Sequence, residues 1–393
     1  MGTENRFLIT LLSACNFVIG MGAFVVIGLL SPVEQALGVT TAKAGYLMTV
    51  YAIAYAILSP LLVSWTGALG RRRVLAIGMG LFGLGALASA LAPGIGWLYA
   101  ARVVMAAGAG MFTPVSAAVA AGLSAPEERG RVLAAVVFGL TLAQVFGVPT
   151  GSWVAYTFGW RVAFWLVLAL AVVALWLVWT RVPRGLRFQP VTLGDLGKVL
   201  RNGLVMGAVL FTASFLGSIY VLFTYFQPLL SDTMGFGRDG ITLALLVFGL
   251  GAVAGNVLGG FMADRIGPVR TLVVLCLAQI VILPVFSALP MPQWLLFAVI
   301  FVWSVCGWSF MAGQQLRLLG LAPQSASVVL ALNAAAIYVG SAAGSAVGAQ
   351  VLHLTGPGLL GVAASIAMLA TLGHILWSHR AATLSSRTSK APG

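Results

Sequence analysis

Residues 162–180 read VAFWLVLALAVVALWLVWT, an unbroken apolar segment that lies between Arg161 and Arg181. A helix needs about 20 apolar residues to cross a bilayer, because the hydrocarbon core is about 30 Å thick and each residue rises about 1.5 Å. The segment therefore predicts a transmembrane helix. A membrane strand would instead alternate apolar and polar residues over about ten positions, so a β-barrel is excluded.

Further apolar runs of similar length lie on both sides of this segment, with turn formers such as Pro32, Gly94 and Pro126 in the short gaps. The pattern predicts an all-α polytopic membrane protein with twelve transmembrane helices. These predicted crossings, called crossings 1 to 12 below, are 7–31, 45–65, 74–93, 97–123, 132–155, 162–180, 203–228, 240–262, 270–289, 293–316, 325–350 and 357–378.

The composition agrees with lipid as the solvent. Hydrophobic residues make up 61% of the 393 residues and charged residues only 7%, against about 45–50% and about 25% in soluble domains. This balance excludes a soluble enzyme and a disordered chain. The net charge of +13 would indicate nucleic acid in a soluble protein, but 17 of the 21 Lys and Arg residues fall on one side of the predicted crossings. The positive-inside rule assigns that side to the cytoplasm, so we expect both termini there and no nucleic-acid partner.

The chain divides into two halves of six crossings. We expect an N-terminal bundle over 1–180, an amphipathic cytoplasmic linker over 181–202, a C-terminal bundle over 203–378 and a polar tail over 379–393. An offset of 197 residues superimposes seven glycine pairs, where chance predicts about three. Such duplication predicts a transporter with one site between the halves, whose rocking alternates access. The seven pairs are Gly20–Gly217, Gly38–Gly235, Gly70–Gly267, Gly110–Gly307, Gly147–Gly344, Gly151–Gly348 and Gly159–Gly356.

Four kinds of motif stand out. SWTGALGRRRVL at 64–75 and GGFMADRIGPVR at 259–270 occupy equivalent loops, and LYAARVVMAAGAGMF at 98–112 places an arginine inside crossing 4. GLTLAQVFGVPTGS at 139–152 combines spaced glycines with a proline that bends crossing 5. YVLFTYFQPLL at 220–230 ends crossing 7. Crossing 11 contains a glycine stripe equivalent to that of crossing 5. The residues assigned to these packing and loop motifs are Gly70, Arg71, Arg73, Gly147, Pro149, Gly151, Gly267, Arg270, Gly340, Gly344 and Gly348.

With these motifs the chain resembles the major facilitator superfamily from about residue 10 to 375. Within that family it is similar to twelve-helix drug and metabolite:proton antiporters of the arabinose-efflux, purine-efflux and chloramphenicol-export branch. The resemblance implies a monomeric, multi-pass protein of the bacterial inner membrane that exports a small organic compound, exchanges protons and needs no cofactor or metal. An importer or uncoupled facilitator is the alternative. A membrane-embedded enzyme is remote, because no catalytic constellation lies within a crossing.

Three positions depart from the family pattern. The Asp and Arg of the first loop motif are replaced by Gly67 and Ala68, and Ala23 stands near a position in crossing 1 where the branch often has a Glu. Gating in this chain therefore has to depend on other residues. We predict a pH-sensitive salt bridge between Arg102 and Glu34 at the outer mouth. The alternative is that Arg102 extends to water and Glu34 is a loop residue. The resemblance implies that Asp264 and Arg265 help to lock one access state, with Asp264 facing the start of crossing 5 near residues 129–131.

The resemblance also implies that crossings 1, 4, 7 and 10 line the cavity, with contributions from crossings 2, 5, 8 and 11. Polar and aromatic residues at mid-depth are candidates for substrate binding, although helix packing is the alternative for each aromatic or Met residue. Asn16, Gln144 and Asn333 are favoured, because an amide inside a membrane needs a partner or water. Since no carboxylate lies at this depth, we expect a neutral or amphipathic substrate. The candidates are Asn16, Tyr51, Tyr55, Met111, Thr141, Gln144, Phe215, Tyr220, Trp303, Met311, Asn333 and Tyr338.

Overall fold

The computed structural model describes residues 3–66, 69–124, 129–185 and 193–388. Within these ranges the chain is folded into α-helices that short turns connect. Their bounds are α1 (Thr3–Phe24), α2 (Leu30–Leu37), α3 (Thr41–Trp65), α4 (Arg71–Ala90), α5 (Ile95–Gly122), α6 (Arg129–Leu142), α7 (Val148–Phe158), α8 (Trp160–Arg181), α9 (Leu193–Leu200), α10 (Gly203–Phe223), α11 (Phe226–Met234), α12 (Arg238–Ile266), α13 (Pro268–Ile282), α14 (Gln293–Trp308), α15 (Phe310–Leu321), α16 (Ala326–Thr355) and α17 (Leu360–Thr388).

Several predicted crossings consist of two helices joined by a tight turn. Crossing 1 is α1 and α2 around a 3₁₀ turn at Val25–Gly28, and crossing 5 is α6 and α7 around a π-helical turn at Ala143–Gly147. Crossings 7 and 10 are α10 with α11 and α14 with α15. In the described ranges, eleven helical segments are long and apolar enough to cross a membrane. The α6–α7 segment covers the remaining predicted run, and the predicted all-α membrane fold is confirmed.

The backbone supports the internal repeat at two of the glycine pairs. Gly38 and Gly235 have φ angles of 61° and 65°, and they end α2 and α11 respectively. Gly159 and Gly356 have φ angles of 93° and 75°, and they end α7 and α16. Because other residues rarely adopt positive φ, glycine is favoured where a helix ends in this way. The offset found in the sequence therefore corresponds to equivalent helix ends.

Helix contacts divide the chain into two compact units. Unit 1 contains Met1–Pro190 and Tyr225–Gly249, and unit 2 contains Val191–Thr224 and Leu250–Gly393. In unit 1, α1 packs on α6, and α4 packs on α5 and α8. In unit 2, α10 packs on α16, and α13 packs on α14 and α17. Crossings 1 and 5 thus pair in the same way as crossings 7 and 11, as the repeat predicts.

Candidate functional site

Arg102 on α5 is fully buried and binds the backbone where crossing 1 changes from α-helix to 3₁₀ geometry. Its Nη1 donates to the carbonyl oxygen of Gly22 at 2.6 Å, and its Nη2 donates to that of Ala23 at 2.7 Å. The guanidinium carbon lies 4.2 Å from the ring centroid of Tyr51. A charge without partners at this depth would be costly. The carbonyl dipoles and the aromatic face stabilise the guanidinium and fix α5 to crossing 1.

Glu34 does not pair with Arg102, and the predicted salt bridge is corrected here. The Glu34 carboxylate accepts a hydrogen bond from the Thr41 hydroxyl at 2.5 Å, across the turn between α2 and α3. Glu34 is only half-buried, whereas Arg102 lies deeper and is already bound by carbonyl oxygens. Arg102 therefore binds the backbone of crossing 1, whereas Glu34 binds the start of α3. Comparable depths for the two residues could be inferred from the sequence, but the direction in which either side chain points could not.

A second polar cluster joins crossing 7 to crossings 1 and 5 inside unit 1. Gln227 on α11 is fully buried, and its Oε1 accepts a hydrogen bond from the backbone N–H of Ser31 at 2.9 Å. Its Nε2 donates to the Ser31 hydroxyl at 2.6 Å and to the Tyr156 hydroxyl at 2.5 Å. We call Gln227, Ser31 and Tyr156 the amide clasp. One neutral side chain thus links three crossings at the end that the positive-inside rule assigns to the outer face.

Close packing in unit 1 also holds crossings 7 and 8 against crossings 2 and 5. Gly45 on α3 faces the ring of Tyr225, and a Cβ atom at this glycine would overlap the ring. Gly249 on α12 approaches crossing 5 so closely that a Cβ atom there would overlap the backbone of Val145. Residues 225–249, which come from the second half of the sequence, are therefore held against crossings 1, 2 and 5 by both hydrogen bonds and backbone contact.

Two of the predicted amides in unit 1 each have a buried oxygen without a hydrogen-bond partner in the described part of the chain. Asn16 on α1 donates to the carbonyl of Leu12 and to the Ser116 hydroxyl, both at 3.0 Å, but its Oδ1 has no partner. Gln144 is 7% exposed and its Oε1 likewise has no partner. An unsatisfied buried acceptor costs about 1–3 kcal/mol. Both oxygens are thus buried acceptors without a hydrogen-bond partner among the described residues, and their part in substrate binding stays a prediction.

Gln144 belongs to the π-helical turn that interrupts crossing 5. Pro149 explains the interruption, because its ring has no N–H and clashes with the carbonyl of Val145 one turn earlier. Single π-helical turns inside α-helices occur frequently at functional sites. The motif at 139–152 thus contains an irregular helical turn that carries the amide of Gln144.

The glycines of crossing 5 allow close contact with crossing 1, as predicted for a packing surface. A Cβ atom at Gly147 would lie 3.0 Å from the Cβ of Met21, and one at Gly151 would overlap Val25. In unit 2, Gly340 and Gly344 of α16 face the backbone of α10 in the same manner. Gly348 is also buried. Both stripes therefore form helix interfaces, and their role as hinges stays a prediction.

A polar chain in unit 2 contains Asn333, the third of the favoured amides. Thr212 on α10 donates to Asn333 Oδ1 at 2.5 Å, and Gln314 Nε2 on α15 donates to the Thr212 hydroxyl at 3.0 Å. Gln314 also donates to the carbonyl of Ala208 at 2.7 Å, while its Oε1 has no partner within the described ranges. Sequence reasoning missed Gln314, although an amide inside crossing 10 was a usable signal.

The predicted aromatic residues pack closely. The rings of Tyr51 and Tyr55 lie 6.4 Å apart, and Phe215 stacks on Phe310 with ring centroids 4.7 Å apart. Trp303 lies against Phe286 at 4.9 Å and is fully buried. These contacts agree with the packing alternative. Of the other predicted candidates, Met111, Tyr220 and Tyr338 are buried, whereas Thr141 and Met311 are half-buried.

The two loop motifs differ in exposure. Arg71 is buried at the start of α4, which follows Gly70, while Arg73 is exposed. The other four motif residues lie in unit 2: Asp264, Arg265 and Arg270 are exposed, and Gly267 precedes α13 with a φ of 84°. The predicted partners Arg129 and Arg131 fall outside the side chains that the structure describes, as do Gly67 and Ala68, so that contact stays a prediction.

Sequence reasoning also missed all three residues of the amide clasp. Gln227 lies inside YVLFTYFQPLL, which was recognised as a motif but given no chemical role. Gln227 is polar inside an apolar run and directly precedes Pro228. Together these features were a usable signal for a buried hydrogen-bonded position, whereas Ser31 and Tyr156 resemble many other polar residues at helix ends.

Comparison with known proteins agrees with this architecture. The sequence pattern of the Major Facilitator Superfamily matches residues 12–345. The chain is 29% identical over 375 residues to the uncharacterized MFS-type transporter YbcL of Bacillus subtilis (strain 168), covering 94% of this chain and 96% of that protein. It is 28% identical to the inner membrane transport protein YdhP of Escherichia coli (strain K12), covering 86% of each.

Two further comparisons concern a named activity and a solved fold. The chain is 27% identical to a protein of Helicobacter pylori (strain ATCC 700392 / 26695) named "Probable sugar efflux transporter", covering 91% of this chain and 92% of that protein. A bacterial homologue of the human lysosomal transporter Spinster, solved in an inward-facing and unoccupied conformation, matches with a TM-score of 0.71 at 16% identity. That match covers 99% of this chain and 98% of the other.

The repeated bundle of membrane-spanning helices defines a polytopic transport protein of the membrane. The chain belongs to the Major Facilitator Superfamily, and the predicted family is confirmed.

Proposed function

We propose that this transporter exports a small neutral or amphipathic organic compound across the bacterial inner membrane in exchange for protons. The observation that carries the proposal is the chemistry of its interior. Asn16, Gln144 and Gln314 each offer a buried, unpaired amide oxygen. The described acidic side chains, by contrast, are half-buried at Glu34 or exposed elsewhere.

A neutral hydroxyl-bearing solute fits these groups better than a cation. Amide oxygens accept hydrogen bonds from hydroxyl or amino groups without balancing a full positive charge, so a cation would lose its hydration without compensation. Pockets that bind small molecules commonly combine aromatic walls with a few placed polar groups. The sugar-efflux name of the Helicobacter pylori relative supports the same substrate chemistry and the export direction.

Alternating access would proceed by movement of the predicted bundles 1–180 and 203–378. In this proposal the amide clasp closes the outer side while the inner side is open, and its hydrogen bonds must break before the outer side opens. Proton exchange rests on the family branch that the chain resembles. The site of proton exchange would differ from the one usual in that branch. The branch often has a Glu near the position of Ala23, whose carbonyl oxygen here accepts a hydrogen bond from Arg102.

An uncoupled facilitator is the second candidate, and one observation favours it. None of the described carboxylates is buried within the helix array, so the group that would take the coupling proton is missing from its customary depth. The same transport measurement separates the two candidates.

The test is uptake of labelled neutral solutes into everted membrane vesicles from expressing cells. A pentose, a nucleoside and chloramphenicol serve as probes, each with and without a proton gradient. Gradient-dependent accumulation of one probe supports exchange, while gradient-independent equilibration supports the facilitator. If expression changes the uptake of no probe, the proposed substrate class is wrong.

Two variants link transport to the interior. Asn16→Ala and Gln144→Ala remove the unpaired oxygens and are expected to lower uptake at least tenfold, because each oxygen accepts a hydrogen bond from the substrate. Gln35→Ala is the matched control, since Gln35 is an exposed amide on α2. Equal uptake by all three variants would contradict the assignment of the amides.

A further inference from the structure

The structure has a groove of about 580 Å³ at the end of unit 2 that the positive-inside rule assigns to the cytoplasm. Its lining includes Ile266 at the end of α12 and Gly267 between the two helices. Arg270, Val273 and Val274 of α13 and His379 of α17 also line it. This volume lies within the range of about 300–1,000 Å³ that is typical of small-molecule sites.

The groove is amphipathic along the helix direction. At its loop end, Arg270 is exposed and has no hydrogen bond or ion pair to any described residue. Towards the membrane interior, Val274 is 44% exposed and lies on a segment, Pro268–Ala288, that is apolar enough to cross a bilayer. The surroundings at that depth are acyl chains, so a ligand here needs an anionic head and an apolar tail.

The charges near the groove favour an anionic ligand. Arg270 and His379 line the groove, and Arg265 and Arg380 are exposed close to them in the sequence. Among the described residues of these two segments, Asp264 carries the negative charge. Basic pockets between transmembrane helices on the cytoplasmic side bind anionic lipid headgroups. A freely soluble anion would satisfy Arg270 but would leave the valine wall without a partner.

We propose that this groove binds an anionic phospholipid of the inner leaflet, with its phosphate at Arg270 and His379 and one acyl chain against Val273 and Val274. The bound lipid ties the α12–α13 loop to the end of α17. That loop carries the second copy of the motif that resembles an access-locking element. Anionic lipid therefore restrains the loop through contacts that a zwitterionic lipid makes more weakly.

The experiment uses the full-length protein in nanodiscs that contain equal amounts of phosphatidylglycerol and phosphatidylcholine. Native mass spectrometry counts the lipids that stay bound after release. We expect retention of phosphatidylglycerol over phosphatidylcholine. We also expect about a fivefold loss of that preference in Arg270→Gln, because this variant removes the guanidinium that contacts the bound phosphate. Arg380→Gln removes the same charge outside the groove lining and is expected to change the preference less than twofold.

A second variant keeps the test independent of the folding of the first. Val274→Trp fills the apolar wall without a change of charge and is expected to lower the number of retained lipids. Equal losses in Arg270→Gln and Arg380→Gln would show a diffuse electrostatic effect and overturn the site. Unchanged retention in Val274→Trp, or equal retention of both lipids by the unmodified protein, would overturn it as well.

Discussion

Replacement of Gln227 by leucine tests whether the amide clasp holds the outer side of the transporter closed. Leucine has a similar volume but forms none of the three hydrogen bonds to Ser31 and Tyr156. Each such bond contributes about 1 kcal/mol net, so the change removes about 3 kcal/mol from the conformation that contains the clasp. Since about 1.4 kcal/mol corresponds to tenfold, the conformational equilibrium should shift by roughly two orders of magnitude.

The shift can be measured by electron spin resonance between two spin labels. Labels at Gln35 and Trp294, which are exposed residues at predicted outer helix ends, report the separation of the two halves on that side. The three native cysteines are replaced by alanine to remove background labelling. We expect a longer-distance population to grow in Gln227→Leu. Tyr156→Phe, which removes one hydrogen bond, should shift the equilibrium only about fivefold.

Gln279→Leu is the matched control. Gln279 is also a fully buried glutamine, but its Nε2 donates to the carbonyl of Trp303 at 3.1 Å within unit 2. If both glutamine variants change the distance distribution equally, or if Gln227→Leu leaves it unchanged, the clasp does not control the outer side.

Three further predictions concern Arg102, Glu34 and Gly344. Arg102→Met should lower the free energy of unfolding by about 3 kcal/mol, since it removes two charge-assisted hydrogen bonds. Arg102→Lys should recover only part of this stability, because an ammonium lacks the planar fork of a guanidinium. Thermal unfolding in detergent measures the stability of both variants. Glu34→Gln should leave the pH profile of transport unchanged, because the Thr41 hydroxyl can donate to an amide oxygen as well; a shifted profile would contradict this. Gly344→Val should separate α16 from α10 and lower the yield of folded protein in size-exclusion chromatography, whereas Gly373→Val, where the added Cβ meets nothing within 4 Å, should not. Similar yields for the two glycine variants would contradict the packing argument.

The sequence predicted the helices and the repeat because these depend on local properties. An apolar run such as 162–180 has one stable form in lipid, since its backbone polar groups must be satisfied within the segment. Gly38 and Gly235 mark helix ends because few other residues adopt their positive φ. Pro149 likewise indicated a bend, although its π-helical form required the structure.

Side-chain partners were less predictable. Arg102 and Glu34 were paired by depth and charge, yet the buried guanidinium binds carbonyl oxygens, which every residue of crossing 1 possesses. No sequence pattern distinguishes the carbonyls of Gly22 and Ala23 from their neighbours. Gln227 was overlooked for a related reason, because its partners lie about 71 and 196 residues away in the chain.

The paired glycines that end α2, α11, α7 and α16 have a consequence for engineering. The two halves share these turns, whereas the offset of 197 residues pairs Arg102 with Val299 and Gln314 with Ala117. A synthetic fusion of two identical halves would thus keep the glycine turns that end these helices. Both halves would contribute the same side chains to the interior. We expect such a fusion to fold but to lose any substrate selectivity that depends on differences between the halves.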